Sequence, residues 1–400
     1  MEESKLKFNV TSSFLKLKSY CESESFKGWD PYDGLNSKVF QWTPLKYWDL
    51  ARLAWIQGFK RSPINFRILL GVPKEYNAKG VALFLTGYCN LYHIAETGNF
   101  NFGTKEEIKK HIVGLADLLL KMQNKNYSGA CWGYNFDWQA RRLFLFPKNL
   151  PTVVATSFCV EALLKAYEIT KNEEYLETCK STTNFILKDL NRSDFKSGFL
   201  FSYSPMNGNN TVLNASLLGA KVLSQLYYYT KDELLKSTAE KTVKACCEAQ
   251  QEDGSWVYGL LPVQNWIDSF HTGYNLIAIQ AYQDNTGDLQ FQGHIKKGFQ
   301  YYIKNFFLSD GTPKYYHNKT YPIDIHCPGQ LFVTLAKTNT FAENKDLAAN
   351  VLEWTLNNMQ DKKGYFYYQL KKGISSKISY MRWSNAFMFN AFTDYLKEIT

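Results

Sequence analysis

Helical segments of two kinds alternate along most of this chain. The first kind is amphipathic, with apolar residues spaced along one helix face. It is predicted at 105–123, 173–188, 232–250, 291–307 and 343–359. The second kind is more apolar and richer in small residues, and is predicted at 80–98, 156–170, 214–230, 271–287, 329–338 and 384–399. This alternation is an internal repeat, and it is typical of stacked helical hairpins.

Within the repeat, a turn rich in glycine, aspartate and aromatic residues follows each amphipathic helix. The aligned aromatic residues of these turns are 69, 55, 59 and 52 residues apart, and they are Trp132, Phe201, Trp256, Tyr315 and Tyr367. The segment 43–60 also has a helical pattern, and we take it as the outer partner of the apolar helix at 80–98. The sequence therefore predicts six helical hairpins.

Six hairpins with apolar inner helices predict a closed ring, because closure gives each inner helix apolar neighbours on both flanks. We therefore predict an all-α fold, a single (α/α)6 toroid of inner and outer helices over residues 43–400. Residues 1–42 are predicted to be an N-terminal extension that packs on the ring. An open solenoid is the alternative, but its terminal helix should be more polar than residues 381–392.

The ends of the inner helices carry polar residues. Several of these helices begin at Ser, Thr, Asn or Asp, which are preferred N-caps, and Gly98 and Gly287 stand where C-caps are expected. In a closed ring all inner helices run in the same direction. The polar loops that precede them are therefore predicted to meet at one rim of the barrel.

The amino-acid composition indicates in which compartment the protein functions. Of 400 residues, 45% are hydrophobic, which is enough for a large core, and no stretch approaches the length of a membrane span. The N-terminal segment lacks the apolar region of a signal peptide, and the eight cysteines contain no CxxC pair. We therefore expect a cytoplasmic protein with reduced thiols.

The net charge of +9 is spread along the chain, without the basic stripe of a nucleic-acid binder. This charge suits an anionic small molecule or acidic polymer, or simply a soluble surface. Aromatic residues make up 16% of the chain, and many stand beside Gly, Asn and Asp in predicted loops. They serve either as platforms for sugar rings or as large residues of a helical core.

Two inner helices begin with acids and imidazoles. The sequence "DSFHTGY" places Asp268, His271 and Tyr274 at one mouth, and "YPIDIHCPGQ" places Asp324 and His326 at the next. Three interpretations stay open. The groups perform acid–base catalysis, they bind a divalent metal together with Cys327, or they cap helices and form buried hydrogen bonds.

Other candidates lie at neighbouring mouths. Arg382 either binds a carboxylate or phosphate or forms a salt bridge to Asp268 or Asp324, and Asn214 is interpreted as a helix cap. The long loop 127–155 is either a substrate platform or a packed lid. The predicted site residues besides the acids and histidines are Tyr380, Arg382, Trp383, Trp132, Tyr134, Asn135, Trp138, Arg141, Arg142, Trp256 and Trp266.

Short motifs resemble members of the (α/α)6-toroid superfamily, which includes terpenoid cyclases, prenyltransferases, glycoside hydrolases, polysaccharide lyases and epimerases. "QQEDGSW" (250–256) resembles the cyclase and prenyltransferase turn, and "DSFHTGY" (268–274) resembles the segment that carries a zinc-binding histidine in prenyltransferases. The Asp and Cys that complete that zinc site are absent from 209–220, and no D-x-D-D motif is present. Longer phrases such as "DPYDGLNS" (30–37) and "KRSPINFR" (60–67) resemble an uncharacterised bacterial family of surface-polysaccharide gene clusters.

These observations predict a carbohydrate-active enzyme that acts on an anionic, uronate-type glycan or glycolipid precursor, without a cofactor. Epimerase or lyase chemistry fits best. Arg382 would neutralise the carboxylate, a histidine (His271 or His326) would remove the proton, and a tyrosine (Tyr274 or Tyr380) would return one. The alternatives are a glycoside hydrolase that uses Asp268 and Asp324, a non-catalytic glycan-binding or scaffold ring, and an enzyme similar to prenyltransferases and terpene cyclases.

Overall fold

The computed structural model describes residues 2–98, 100–140 and 145–400, without the side chains of residues 2–6. Its helices pack as two concentric rings. In chain order the helices are α1 (Glu2–Ser23), α2 (Lys38–Gln41), α3 (Asp49–Arg61), α4 (Ala78–Thr97), α5 (Lys105–Lys121), α6 (Val153–Thr170), α7 (Glu173–Asn184), α8 (Leu213–Thr230), α9 (Glu233–Glu248), α10 (Ser269–Thr286), α11 (Gln292–Phe306), α12 (His326–Lys337), α13 (Lys345–Met359) and α14 (Phe387–Glu398).

The even-numbered helices from α4 to α14 form the inner ring, and α1 with the odd-numbered helices from α5 to α13 forms the outer ring. Inner helices are buried on nearly all sides, as in α4, where every residue from 78 to 91 is buried. Outer helices bury one stripe, as in α9, where Leu235, Ala239, Val243 and Cys246 face inward at spacings of three and four. The predicted all-α toroid is confirmed.

The sixth outer helix is α1 and not the segment 43–60, so that pairing was wrong. The ring of Phe14 lies 5.1 Å from that of Phe389 on α14, and the Tyr20 hydroxyl donates to Ser379 Oγ at 2.9 Å. The helix predicted at 43–60 exists as α3, but it lies beside the loops at the rim. An amphipathic pattern predicts a helix without naming the helix it will pack against, which explains the error.

The aromatic turns attach each hairpin to its outer helix. Trp132 and Trp256 are buried, and their indole N–H groups donate to the carbonyls of Leu119 and Cys246 at 2.8 and 2.9 Å. These carbonyls belong to the last turns of α5 and α9, where each also accepts a backbone N–H of the helix cap, from Met122 and Ala249 respectively. At the inner ring, Gly98 and Gly287 adopt left-handed C-cap conformations, as predicted.

The loops at the rim contain short antiparallel strands. Two sheets are hairpins, β1–β2 and β3–β4, and the third has the order β5–β6–β7. The pairing of β5 with β6 places Asp324 opposite Gln369 at the start of α12. The strands are β1 (Trp138–Gln139), β2 (Leu145–Phe146), β3 (Arg192–Phe195), β4 (Gly198–Phe201), β5 (Ile323–Asp324), β6 (Tyr367–Leu370) and β7 (Ser376–Ser379).

Candidate functional site

A cavity of about 270 Å³ opens at the rim where the six inner helices begin. Each inner helix contributes a side chain from its first turn or from the turn before it, so the helix N-termini converge as ring closure predicts. The last contribution comes from a π-helical turn (Met381–Ala386) that precedes α14. The six residues are Lys79, Val154, Asn214, His271, His326 and Arg382.

The walls of the cavity are mostly aromatic. Tyr134 and Trp138 from the long loop 127–155 line it, together with Trp266, Tyr274 and Trp383. Trp266 stacks on Tyr258 with ring centroids 4.5 Å apart and an angle of 11° between the planes. Flat aromatic surfaces with polar groups between them suit a ligand with both apolar faces and hydroxyl edges.

His271 is oriented by a carboxylate behind it. Its Nδ1 lies 2.7 Å from Asp268 Oδ2, and the same oxygen accepts a hydrogen bond from Trp266 Nε1 at 2.9 Å. Asp268 also caps α10, because its Oδ1 accepts the backbone N–H of His271 at 3.0 Å. The carboxylate contact on Nδ1 assigns the proton to that atom. The Nε2 atom of His271 is therefore the one left to accept a proton.

His326 has a similar arrangement with different bonding. Asp324 Oδ1 accepts the backbone N–H of His326 at 3.0 Å and the indole N–H of Trp383 at 2.8 Å, while Gln369 Nε2 donates to Oδ2 at 2.9 Å. His326 Nδ1 lies 3.8 Å from Asp324, too far for a hydrogen bond, and has no partner within the described residues. No hydrogen bond from the described residues to Nδ1 therefore orients this imidazole, and only the packing of neighbouring side chains does.

Burial determines the protonation states of His326 and Asp324. It lowers the pKa of His326 well below 6.5, and the neighbouring Lys79, Arg382 and His271 act in the same direction, so the ring is neutral at neutral pH. Burial also raises the pKa of Asp324 to about 6, against the hydrogen bonds that favour its ionised form. The ring of Phe270 lies 4.2 Å from that of His271 and 5.1 Å from that of His326, so both imidazoles border the same phenyl ring in the cavity lining.

Lys79 is a functional candidate that the sequence analysis missed. Its Nζ donates to the Tyr274 hydroxyl at 3.2 Å and lies 4.1 Å from the centroid of the Phe158 ring. No ion pair to a carboxylate involves Lys79 in the described part of the chain. Burial lowers its pKa well below 10.5, and Arg382 lowers it further. A signal was present: this lysine interrupts an otherwise apolar inner helix one residue after its start.

Arg382 is paired, but not with either predicted partner. Its Nε and Nη2 donate to the two oxygens of Asp30 at 2.5 and 2.8 Å, and not to Asp268 or Asp324. A second buried pair lies behind it, where Arg67 Nε donates to Asp33 Oδ1 at 2.8 Å. The segments 30–37 and 60–67 therefore supply the residues that hold Arg382 in place. Arg67 itself does not line the cavity.

The remaining candidates lie in different places. Asp268 and Asp324 are buried behind the cavity wall and do not line it, and neither does the buried Tyr380. The amide of Asn135 bonds to Asn77 outside the cavity, and Trp132 and Trp256 are in the turns described above. Asn214 lines the cavity and is not a cap, since α8 is preceded by Val212. Arg141 and Arg142 fall outside the described residues.

Metal binding finds little geometric support. Among the described residues, no cluster of three or more His, Cys, Asp or Glu side chains is arranged to hold an ion. Cys327, the additional ligand considered above, is buried on α12 and does not line the cavity. The site is therefore best described by imidazoles, carboxylates, a lysine and aromatic rings.

Comparisons with known proteins find similar folds at low sequence identity. No protein-family model and no curated protein matches the chain. A cellobiose 2-epimerase from Bacillus thermoamylovorans B4167 is similar with a TM-score of 0.62 and 14% identity over 82% of this chain and 90% of that one. A family 76 α-mannanase from Bacteroides thetaiotaomicron (0.60, 13%, 81% and 86%) and a polysaccharide lyase (0.55, 12%, 80% and 89%) share the fold.

Proposed function

We propose that this protein is a carbohydrate-active enzyme that moves a proton on a sugar carbon next to a carbonyl or carboxylate group, which is epimerase chemistry. The observation that carries the proposal is the pair of imidazoles, His271 and His326, which border the same phenyl ring in the lining of an aromatic cavity. Similar folds include an enzyme named as a cellobiose 2-epimerase, which fits this reaction type.

Two imidazoles with different partners suit removal and return of one proton. Asp268 fixes the tautomer of His271 and orients its ring, so this residue can take a proton at Nε2. His326 is neutral before the reaction and can do the same from the neighbouring helix. When one base removes a proton and a second group returns one to the other face of the carbon, the configuration inverts.

The charge of the cavity favours an anionic sugar. Among the described residues, its lining includes Lys60, Lys79 and Arg382 but no aspartate or glutamate. Asp30 occupies two donors of Arg382, so Lys79 is the better candidate to meet a carboxylate or an enolate oxygen. An anion beside Lys79 would raise its pKa again and favour its charged form. A uronate-type glycan is therefore our preferred substrate class.

Two other reactions are weaker candidates. Exchange next to a free reducing-end carbonyl needs the same imidazoles but not the basic lining, and it is the reaction implied by the name of the similar epimerase. Hydrolysis needs two carboxyl groups on the cavity, whereas Asp268 and Asp324 are fully hydrogen-bonded behind the wall.

Solvent exchange tests the proposal. The enzyme is incubated in D₂O with uronate-containing oligosaccharides and with neutral reducing sugars, and deuterium in the sugar ring is measured by mass spectrometry and NMR. We expect deuterium next to the uronate carboxylate without chain cleavage. A new double bond instead indicates a lyase, and deuterium at C2 of neutral sugars indicates the carbonyl reaction.

Variants assign the exchange to the two histidines. We expect His271→Asn and His326→Asn each to lower the exchange rate by roughly 10²–10⁴-fold. His93→Asn is the matched control, since this histidine is 43% exposed near the other end of an inner helix. Exchange that survives in both site variants, or is lost in the control, contradicts the proposal.

A further inference from the structure

Large apolar side chains are exposed together beside the rim. We call this surface the rim face and define it by six residues. Four of them are strongly exposed: Trp42 at 91%, Leu50 at 81%, Leu69 at 78% and Ile68 at 77%. The other two, Trp48 and Ile64, are exposed by more than half. Single exposed apolar residues are ordinary, but a cluster of this kind marks an interaction surface.

The two segments that carry these residues lie side by side. Ser37 Oγ donates to the carbonyl of Leu70 at 2.7 Å, and the backbone N–H of Lys38 donates to the carbonyl of Gly71 at 3.5 Å. The turn between β6 and β7 joins them, because Lys371 Nζ donates to the carbonyl of Arg61 at 3.2 Å. That turn adds one more exposed apolar residue, Ile374. The segments that carry the rim face are therefore neighbours in space.

Positive charge accompanies the apolar residues. Residues 38–74 contain seven lysines and arginines and a single acid, Asp49. Lys38 and Arg61 are exposed within the rim face, and Lys372 is exposed on the adjoining turn. The acid is paired with Arg52. Exposed apolar residues ringed by basic ones match the chemistry of an anionic membrane surface, where apolar groups enter the lipid and lysines meet the headgroups.

The rim face adjoins the cavity. Helix α3 runs through this region and also supplies Gln57 and Lys60 to the cavity lining. Aliphatic residues such as Leu50, Ile68 and Leu69 offer no flat ring for a sugar to stack on, so a glycan is a poorer occupant than lipid. In the described part of the chain no helix is long and apolar enough to span a bilayer.

We propose that the rim face binds the surface of a membrane that contains anionic lipids, with Trp42, Leu50, Ile68 and Leu69 entering the headgroup region and the exposed basic residues contacting the headgroups. This contact places the cavity mouth next to the bilayer, where a lipid-linked glycan would be presented. The proposal goes beyond the proposed chemistry and does not depend on it, because vesicle binding is measured without substrate.

Vesicle flotation tests the binding. The full chain is mixed with vesicles of phosphatidylcholine alone or of phosphatidylcholine with phosphatidylglycerol, and the bound fraction is measured at low and high salt. We expect binding to the anionic vesicles that weakens with salt. The variant W42S/L50S/I68S/L69S should lower the partition coefficient at least about tenfold. A second variant, K38Q/R61Q/K372Q, should lose mainly the preference for anionic vesicles.

The control alters exposed apolar residues elsewhere. Tyr228 and Leu234 are 53% and 59% exposed where α8 ends and α9 begins, at the other end of the barrel. The variant Y228S/L234S should bind vesicles like the wild type, and all variants should keep the proton-exchange rate on short soluble sugars. Absence of vesicle binding by the wild type overturns the proposal. A dimer that the rim-face variant converts to a monomer, or binding to glycan but not to vesicles, also overturns it.

Discussion

The buried lysines at the two ends of the barrel are partnered in opposite ways. At the rim, His326 Nδ1 and Asn214 Oδ1 have no partner within the described residues, and Lys79 bonds only to a tyrosine. Further along the axis the barrel narrows to a cavity of about 30 Å³. There Glu161 on α6 pairs with Lys221 on α8 and, at 2.9 Å, with Lys337 on α12.

The paired end connects helices across the whole ring. Burial alone would raise the pKa of Glu161, but Lys221, Lys337 and Lys165 lower it well below 4.5, so the carboxylate stays ionised. Asn90 on α4 joins the network, donating to Asp394 on α14 at 2.8 Å and accepting from Lys165 at 3.1 Å. Satisfied polar groups fix the geometry of a ring. Unsatisfied ones at the rim are costly for folding, which is reasonable where a ligand later supplies the partners.

The largest expected effect separates activity from stability at the rim. Lys79→Met removes a buried amine that forms no ion pair with the described residues and keeps the volume, so we expect exchange activity to fall at least about 100-fold. The free energy of unfolding should stay unchanged or rise by about 1–2 kcal/mol. Activity assays and urea denaturation measure the two, with Lys110→Met on the exposed face of α5 as the control. An active Lys79→Met variant would show that this lysine is not part of the reaction.

The opposite result is expected at the paired end. Glu161→Gln leaves Lys221 and Lys337 without their common partner, which should lower the free energy of unfolding by about 2–3 kcal/mol. Activity of the folded variant should change little, since Glu161 does not line the cavity of 270 Å³. Thermal and urea unfolding measure the loss, and Glu106→Gln, on the exposed start of α5, is the control. Equal stability of the two variants would mean that the network does not hold the ring together.

The smallest expected effect is a pH dependence of the free energy of unfolding. Burial and, second to it, the charge of Lys337 lower the pKa of Lys165 from 10.5 to about 8. Below pH 8 the amine is charged in the folded and unfolded states, and the folded state carries the cost of burying that charge. Above pH 10.5 the amine is neutral in both and the cost disappears. Its contribution to stability therefore becomes more favourable as pH rises through this window.

A comparison of wild type with Lys165→Met isolates that contribution from the other titrating groups. The difference in unfolding free energy between the two proteins should change by about 1 kcal/mol between roughly pH 7 and pH 10, in favour of the wild type. Denaturant unfolding at several pH values measures it. A difference independent of pH would place the lysine in a solvated position with an ordinary pKa.

The ring itself was predictable because its signal is repeated. Inner helices are buried on nearly all sides, whereas outer helices are buried along one stripe. The hydrophobic pattern of each hairpin repeats this difference. The convergence of Asp268, His271 and His326 at one rim then followed from closure. The outer partner of α4 was not predictable, since α1 and α3 are both amphipathic segments upstream of it and only packing distinguishes them.

The partners of individual rim residues were also beyond the sequence. Arg382 pairs with Asp30 across 352 positions, and no local spacing connects them. Trp132 and Trp256 look like sugar platforms because they stand beside glycines in loops, yet each indole bonds to the end of an outer helix. Lys79 was hidden by its surroundings, because a single lysine in an apolar helix usually extends its amine to solvent.

The position of α1 has a consequence for how the chain folds. Gln360 bonds to the carbonyl of Ser13, and Tyr20 bonds to Ser379, so the circle is completed by segments 347 and 359 positions apart. Joining such distant segments carries a large entropic cost and comes late in folding. In an open array, repeats gain stability one at a time. Here the last step links the first and final hairpins, and the whole ring should therefore melt as one cooperative unit.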